Sequence, residues 1–188
     1  ASLLDQSGLH RVVFLTARED ANSEPLPGVE IHQFSCHRDP HPEIHHYLTA
    51  TEVAVLKGQA VLRELNLLIQ SSFYPKVVVT HAGMGLGLFI KDLIPETLHV
   101  GYFEWYFRKN TSQYLVDKFE LDDQLKTGMR NMAILHELEC CDLGVVPTEW
   151  QKSQFPEAYK DKLTVIFDGI DTNFFHPYQE PTNLQSQD

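Results

Sequence analysis

The run Lys76-Val77-Val78-Val79-Thr80-His81, followed at once by Ala82-Gly83-Met84-Gly85-Leu86-Gly87, constrains the fold more than any other feature of the chain. A continuous β-branched run suits a central parallel strand buried on both faces, not the alternating face of an antiparallel edge. Glycines directly after it suit a tight strand-to-helix turn in which backbone closely approaches a neighbour or a ligand. The rest of the chain repeats this alternation. Arg11–Thr16, Val29–Ser35, Leu98–Phe103, Leu143–Pro147 and Leu163–Phe167 read as five further strands. Thr49-Ala50-Thr51-Glu52 reads as a capping box opening a helix, whose apolar face of Val53, Leu56, Ala60, Leu67 and Leu68 runs to about Ser71. Phe89–Ile94 reads as a short helix stopped by Pro95, and Leu121–Cys141 as a third helix. Thr148-Glu149-Trp150-Gln151 starts a fourth with a second capping box. Strands alternating with helices predict an α/β, doubly wound, mostly parallel sheet with helices on both faces.

A chain of 188 residues holds one domain with a sizeable core, expected over residues 1–176, with 177–188 a polar tail or the start of a linker. Its opening, Ala1–Gly8, reads as the last turns of a helix ended by a C-cap glycine. A Rossmann-like unit starts with a strand and a glycine-bearing turn before such a helix. The expectation is therefore a sheet without its usual first strand, in a polypeptide truncated at both ends. Net charge is −11, which argues against a nucleic-acid partner, because phosphate backbones select a basic face. No apolar run approaches the roughly 18 residues that span a bilayer, and no signal-peptide layout opens the chain. Cys36, Cys140 and Cys141 read as reduced, buried thiols of a cytoplasmic protein, since an odd count makes no disulfide framework.

Ligands of an open parallel sheet gather at the carboxyl ends of its strands. Three such ends are unusual here. His81, Gly83 and Gly85 lie between a strand and a helix, and His81 suits a hydrogen bond to a hydroxyl or a proton transfer. The spacing is not Gly-x-Gly-x-x-Gly, so a nicotinamide-dependent oxidoreductase is disfavoured, and the glycines alternatively serve only the turn. Glu104 stands at a strand end beside Trp105 and Tyr106, placed either to bind hydroxyls of a ring stacked on an aromatic or to pair with Arg108. Asp168-Gly169-Ile170-Asp171 is the third, with an ordinary exit turn as its plain alternative. Cys36, His37, His41, His45 and His46 resemble metal ligands by composition alone. Their spacing fits no zinc site, and Pro40 and Pro42 interrupt them, so no metal is expected. Because this loop leaves a strand's carboxyl end, His45 is placed at the border of a pocket.

Taken together, these pieces resemble the N-terminal, acceptor-side domain of the family-four glycosyltransferases, retaining enzymes of the two-Rossmann (GT-B) architecture, and within them a bacterial subgroup. The resemblance rests on His81-Ala82-Gly83-Met84-Gly85-Leu86-Gly87-Leu88-Phe89-Ile90-Lys91-Asp92 and on Gly101-Tyr102-Phe103-Glu104-Trp105-Tyr106. Ala54–Gln59, Pro147–Ser153 and the closing Asp168–Thr172 extend it, in order, over roughly Leu3 to Thr172. It implies transfer of a sugar, hexosyltransferase-like, from a nucleotide-sugar donor to an acceptor glycan, lipid or small molecule. The donor is then expected in an absent C-terminal domain, without a metal or other cofactor, and the fragment is expected to be inactive alone. The resemblance also implies a cleft along His81, Gly83, Gly85, Glu104, Asp168 and Asp171, with His81 and Glu104 as the catalytic candidates. Ala82 stands where the family pattern has proline, Met84 where it has an aromatic residue, and Glu104 where many members have histidine. The alternative is a non-catalytic sugar-binding or regulatory module on the same fold. The first strand normally lies between Arg11–Thr16 and Lys76–His81, so its loss implies a gap and possible self-association through an open sheet edge. A cytoplasmic enzyme, peripheral to the inner membrane, completes the expectation.

Overall fold

The computed structural model describes residues 10–21, 23, 26–108 and 120–175. The expected opening helix turn, most of the loop after Arg108 and the tail from His176 onward lie outside these residues. Within them run β1 (Val12–Thr16), β2 (Val29–Gln33), α1 (Thr49–Gln70), β3 (Val77–His81), α2 (Ile90–Leu93), β4 (Leu98–Tyr102), α3 (Leu121–Met129), α4 (Asn131–Cys140), β5 (Leu143–Val146), α5 (Glu149–Gln154), a 3-10 turn (Glu157–Lys162) and β6 (Leu163–Val165). Every pairing is parallel. The class is the α/β, Rossmann-like one that the alternation predicts.

The described strands form two sheets, β1-β2 and β3-β4-β5-β6, and β1 is not paired with β3. Helix α1 ties the two sheets together: Ala60, Val61 and Leu65 pack in one cluster with Leu15 of β1, Phe34 after β2 and Val78 of β3. A second cluster joins Ile134 and Leu138 of α4 to Phe103, Val146, Phe155 and Leu163. Both clusters use the face of the larger sheet that carries Val78, Thr80 and Gly101. Edge strand β3 leaves Val77 and Val79 on the other face, 52% and 67% exposed.

Several sequence expectations are corrected by contacts distant in sequence. The box at Thr49–Glu52 does not form: Leu48 is the N-cap and supplies no side-chain bond. Glu52 instead accepts Arg38 at 2.6 Å and the His41 amide at 2.9 Å, because a full cation outcompetes a local amide. At Thr148 the cap forms, its hydroxyl accepting Gln151 N–H at 3.2 Å, but the Gln151 side chain accepts from that hydroxyl at 2.6 Å and donates to the Glu104 carbonyl instead of closing the box. Leu121–Cys141 is two helices broken at Arg130, where the Asn131 side chain binds both polar groups of the Phe107 backbone at 2.9 Å. All three cysteines are free, but only Cys141 is buried, and Cys36 is exposed. No helix among the described residues is long and apolar enough to cross a membrane.

Behind the strand ends a polar lock fixes β4. Lys91 donates to Asp142 at 2.9 Å and to the Thr97 carbonyl at 3.0 Å, while Asp142 accepts the His99 amide at 2.7 Å. The His99 ring is buried with Thr80 Oγ1 2.8 Å from its Nε2, and burial depresses its pKa to about 4. His99 is therefore a neutral core group at physiological pH.

Candidate functional site

The glycine-rich turn after β3 is held from below by a carboxylate. Glu137 on α4 is 1% exposed and accepts the amides of Gly83 and Gly87, the latter at 2.9 Å. Burial raises its pKa, while those two amides work against that rise. Gly83 and Gly85 both adopt φ of +88°, a region that L residues with a Cβ disfavour. Gly85 serves packing: a Cβ there would lie 2.0 Å from the Ala54 carbonyl oxygen of α1. Of the two readings left open for this turn, close backbone packing accounts for Gly85, whereas Gly83 also lines a cavity.

That cavity, of about 300 Å³, lies at the carboxyl ends of β3 and β4. His81 and Glu104 meet there, with His81 Nε2 and Glu104 Oε2 2.9 Å apart. His81 Nδ1 is buried and has no hydrogen-bond partner. An Nε2–H donated to Glu104 thus leaves the ring no proton-accepting edge open to the cavity. The accessible acceptor of the pair is Glu104, whose side chain is 54% exposed against 38% for His81. The Glu104 main chain is anchored as well, its carbonyl accepting Gln151 Nε2 at 3.0 Å from the first turn of α5. Trp105 lines the cavity with its ring 5.7 Å from that of Trp150, whereas Tyr106 packs against core Phe155 at 5.3 Å. Arg108 Nε reaches the Gln154 carbonyl at 2.7 Å, and its guanidinium lies over Tyr106.

The remaining sequence candidates do not line this cavity. Asp168 accepts the Tyr102 hydroxyl at 2.7 Å, a bond that, after burial, helps push the tyrosine pKa up to about 12. Asp171 accepts the amides of Asn173 at 2.9 Å and Phe174 at 3.2 Å, and so organises the closing turn. His45 accepts the Tyr47 amide at 3.2 Å and stacks on His46 at 4.7 Å, while His46 and Tyr47 both reach Asp122 at the start of α3. The histidine loop is therefore tied into its own cluster, and His45 does not line the cavity. A larger hollow, of about 540 Å³, lies beyond β1 and β2. Within it, Gln33 donates to the carbonyls of Arg18 and Glu19 at 2.9 Å, and Arg18 pairs with Asp20. The smaller cavity is the stronger site because a carboxylate and an imidazole meet in it at the carboxyl ends of adjacent strands.

Glu137 and Arg130 are not among the residues the sequence points to, and Gln151 and Lys57 enter it only through a helix cap and the Ala54–Gln59 match. For Glu137 a signal existed: it lies between Ile134, Leu138 and Cys141 on the apolar stripe of its helix, where a lone carboxylate needs a partner.

A parallel sheet flanked by helices, with a carboxylate–imidazole pair and a glycine turn at its strand ends, is a Rossmann-like arrangement. The glycosyl transferase family 4 group matches residues 8–175, and the chain belongs to this family of glycosyltransferases. No curated protein matches the chain.

Proposed function

We propose that this chain is the acceptor-binding half of a retaining, GT-B glycosyltransferase of the bacterial subgroup. The enzyme moves a hexose from a nucleotide-sugar donor to an acceptor glycan, lipid or small molecule, in the cytoplasm and at the periphery of the inner membrane. Its donor belongs to a C-terminal domain outside the described residues, and the reaction needs no metal or other cofactor, as the family resemblance implies. The observation that carries the acceptor-side reading is the His81–Glu104 pair, 2.9 Å apart at the ends of adjacent strands and open to the cavity. Glu104 accepts a hydrogen bond from the acceptor hydroxyl and aims its oxygen at the donor. His81 orients Glu104, and Trp105 offers an apolar face to the acceptor.

Transfer by the natural reading frame is the test. Glu104→Gln keeps the side chain's shape but removes the charge, and is expected to lower kcat/KM by roughly 100-fold. The 188-residue chain alone is expected to transfer nothing. Unchanged turnover in Glu104→Gln removes the carboxylate from the reaction, and turnover by the chain alone removes the acceptor-half reading. Self-association through the β3 edge is part of the same proposal, supported by exposed Val77 and Val79. A sedimentation coefficient independent of concentration would dismiss it.

A further inference from the structure

We infer that the acceptor carries a phosphate as well as a hydroxyl, and that Lys57 and Arg130 grip the phosphate in the cavity that Glu104 also lines; this rests on the acceptor-side reading. Lys57 on α1 and Arg130 at the α3–α4 junction line the same cavity as His81, Glu104 and Trp105. The chain is strongly acidic, and Arg11, Arg38, Lys91 and Lys160 are paired with Glu30, Glu52, Asp142 and Glu157 respectively. Neither Lys57 nor Arg130 has a carboxylate partner among the described residues. Two unpaired cations converging on one cavity repel each other when it is empty and share an anion when it is filled.

Their setting is built for this. The Arg130 guanidinium carbon lies 4.1 Å over the Phe107 ring. Stacking engages the faces of the guanidinium and leaves its in-plane N–H groups directed outward, the geometry of a fork for phosphate oxygens. The platform is fixed, because buried Asn131 accepts the Phe107 amide and donates to its carbonyl, each at 2.9 Å. Lys57 follows Ala50, Val53 and Ala54 on one face of α1, so a single helix face supplies apolar wall and ammonium together. Glu104 repels an anion but accepts from a hydroxyl. The cations and the carboxylate therefore select a molecule bearing both groups.

Calorimetric titration of the chain tests this. The probes are glucose 6-phosphate and glycerol 3-phosphate, their neutral parents glucose and glycerol, inorganic phosphate, and phosphatidylglycerol vesicles. Lys57→Gln, Arg130→Gln and Glu104→Gln are compared with the parent chain, with melting temperature as the control for folding. Phosphorylated probes are expected to bind about tenfold or more tightly than their parents, with that advantage lost in Lys57→Gln and Arg130→Gln and reduced by salt. Binding of vesicles alone, lost in the same two variants, supports the inference with a lipid headgroup as the source of the phosphate. The inference is overturned if neither the phosphorylated probes nor the vesicles bind more tightly than the neutral probes, if the advantage survives in both variants, if inorganic phosphate binds as tightly as the phosphorylated probes, or if no probe binds. Neutral probes that bind, and weaken in Glu104→Gln, would leave the acceptor-side reading standing without the phosphate. Indifference of every hydroxylated probe to Glu104→Gln would sink the acceptor-side reading itself.

Discussion

Glu137→Leu is expected to destabilise the chain by about 2–4 kcal/mol in urea unfolding, and to loosen the turn that carries His81 and Gly83. Leucine fits the volume and relieves the cost of burying a carboxylate. It also strips the acceptor from the amides of Gly83 and Gly87. Each buried amide left without a partner costs about 1–3 kcal/mol, so the loss of two outweighs the relief. Glu137→Gln keeps one oxygen for one amide and turns an NH2 group toward the other, so its cost is intermediate. The carboxylate also leaves a pH signature. Burial raises its folded pKa above the ordinary glutamate value, so the native state holds this proton more tightly than the unfolded chain does. Its contribution is complete below the ordinary value and is lost as pH rises through the raised one. Glu137→Gln removes that slope. A Glu137→Leu chain as stable as the parent, with unchanged protection of the Gly83 and Gly87 amides from exchange, would refute the anchoring role.

Gly85→Ala is expected to cost about 3–5 kcal/mol. Two penalties combine. At φ of +88° an alanine is strained by about 1–2 kcal/mol, and its Cβ would lie 2.0 Å from the Ala54 carbonyl oxygen, forcing turn and helix apart. Gly58 lies in the same contact, since a Cβ there would be 2.7 Å from the Gly85 carbonyl oxygen. Gly169 is the internal control: its φ is +80°, but nothing lies within 4 Å of its Cβ position, so Gly169→Ala incurs the backbone strain alone. Equal melting temperatures for Gly85→Ala and Gly169→Ala would show that the contact with Ala54 carries no weight.

The glycine turn shows where sequence reading stops. Strand and helix order was legible because apolar runs and glycine–proline punctuation are local, and each observed strand falls inside its expected run, trimmed by at most two residues per end. The meeting of His81 with Glu104 was legible as two strand ends of one parallel sheet, though not as a bond. What escaped is set by partners distant in the chain. Arg38 draws Glu52 away from its cap, Asn131 breaks a continuous helical pattern by clamping Phe107, and Glu137 reaches the glycine amides from 54 and 50 residues further along the chain, a pairing that no periodicity encodes. His45 was placed near a pocket by its loop's point of departure, but Asp122 holds that loop in a separate cluster through His46 and Tyr47. Lys57 and Arg130 gave no local sign, since lone cations on helices are usually solvated.

The most direct test of the central claim, that an acceptor binds at the ends of β3 and β4, is an amide-resolved NMR titration of the chain with hydroxylated and phosphorylated sugars. The account predicts shifts centred on His81, Gly83, Glu104 and Trp105. Shifts confined to the hollow at Gln33 and Arg63, or to the histidine loop, with those four amides silent, would contradict it.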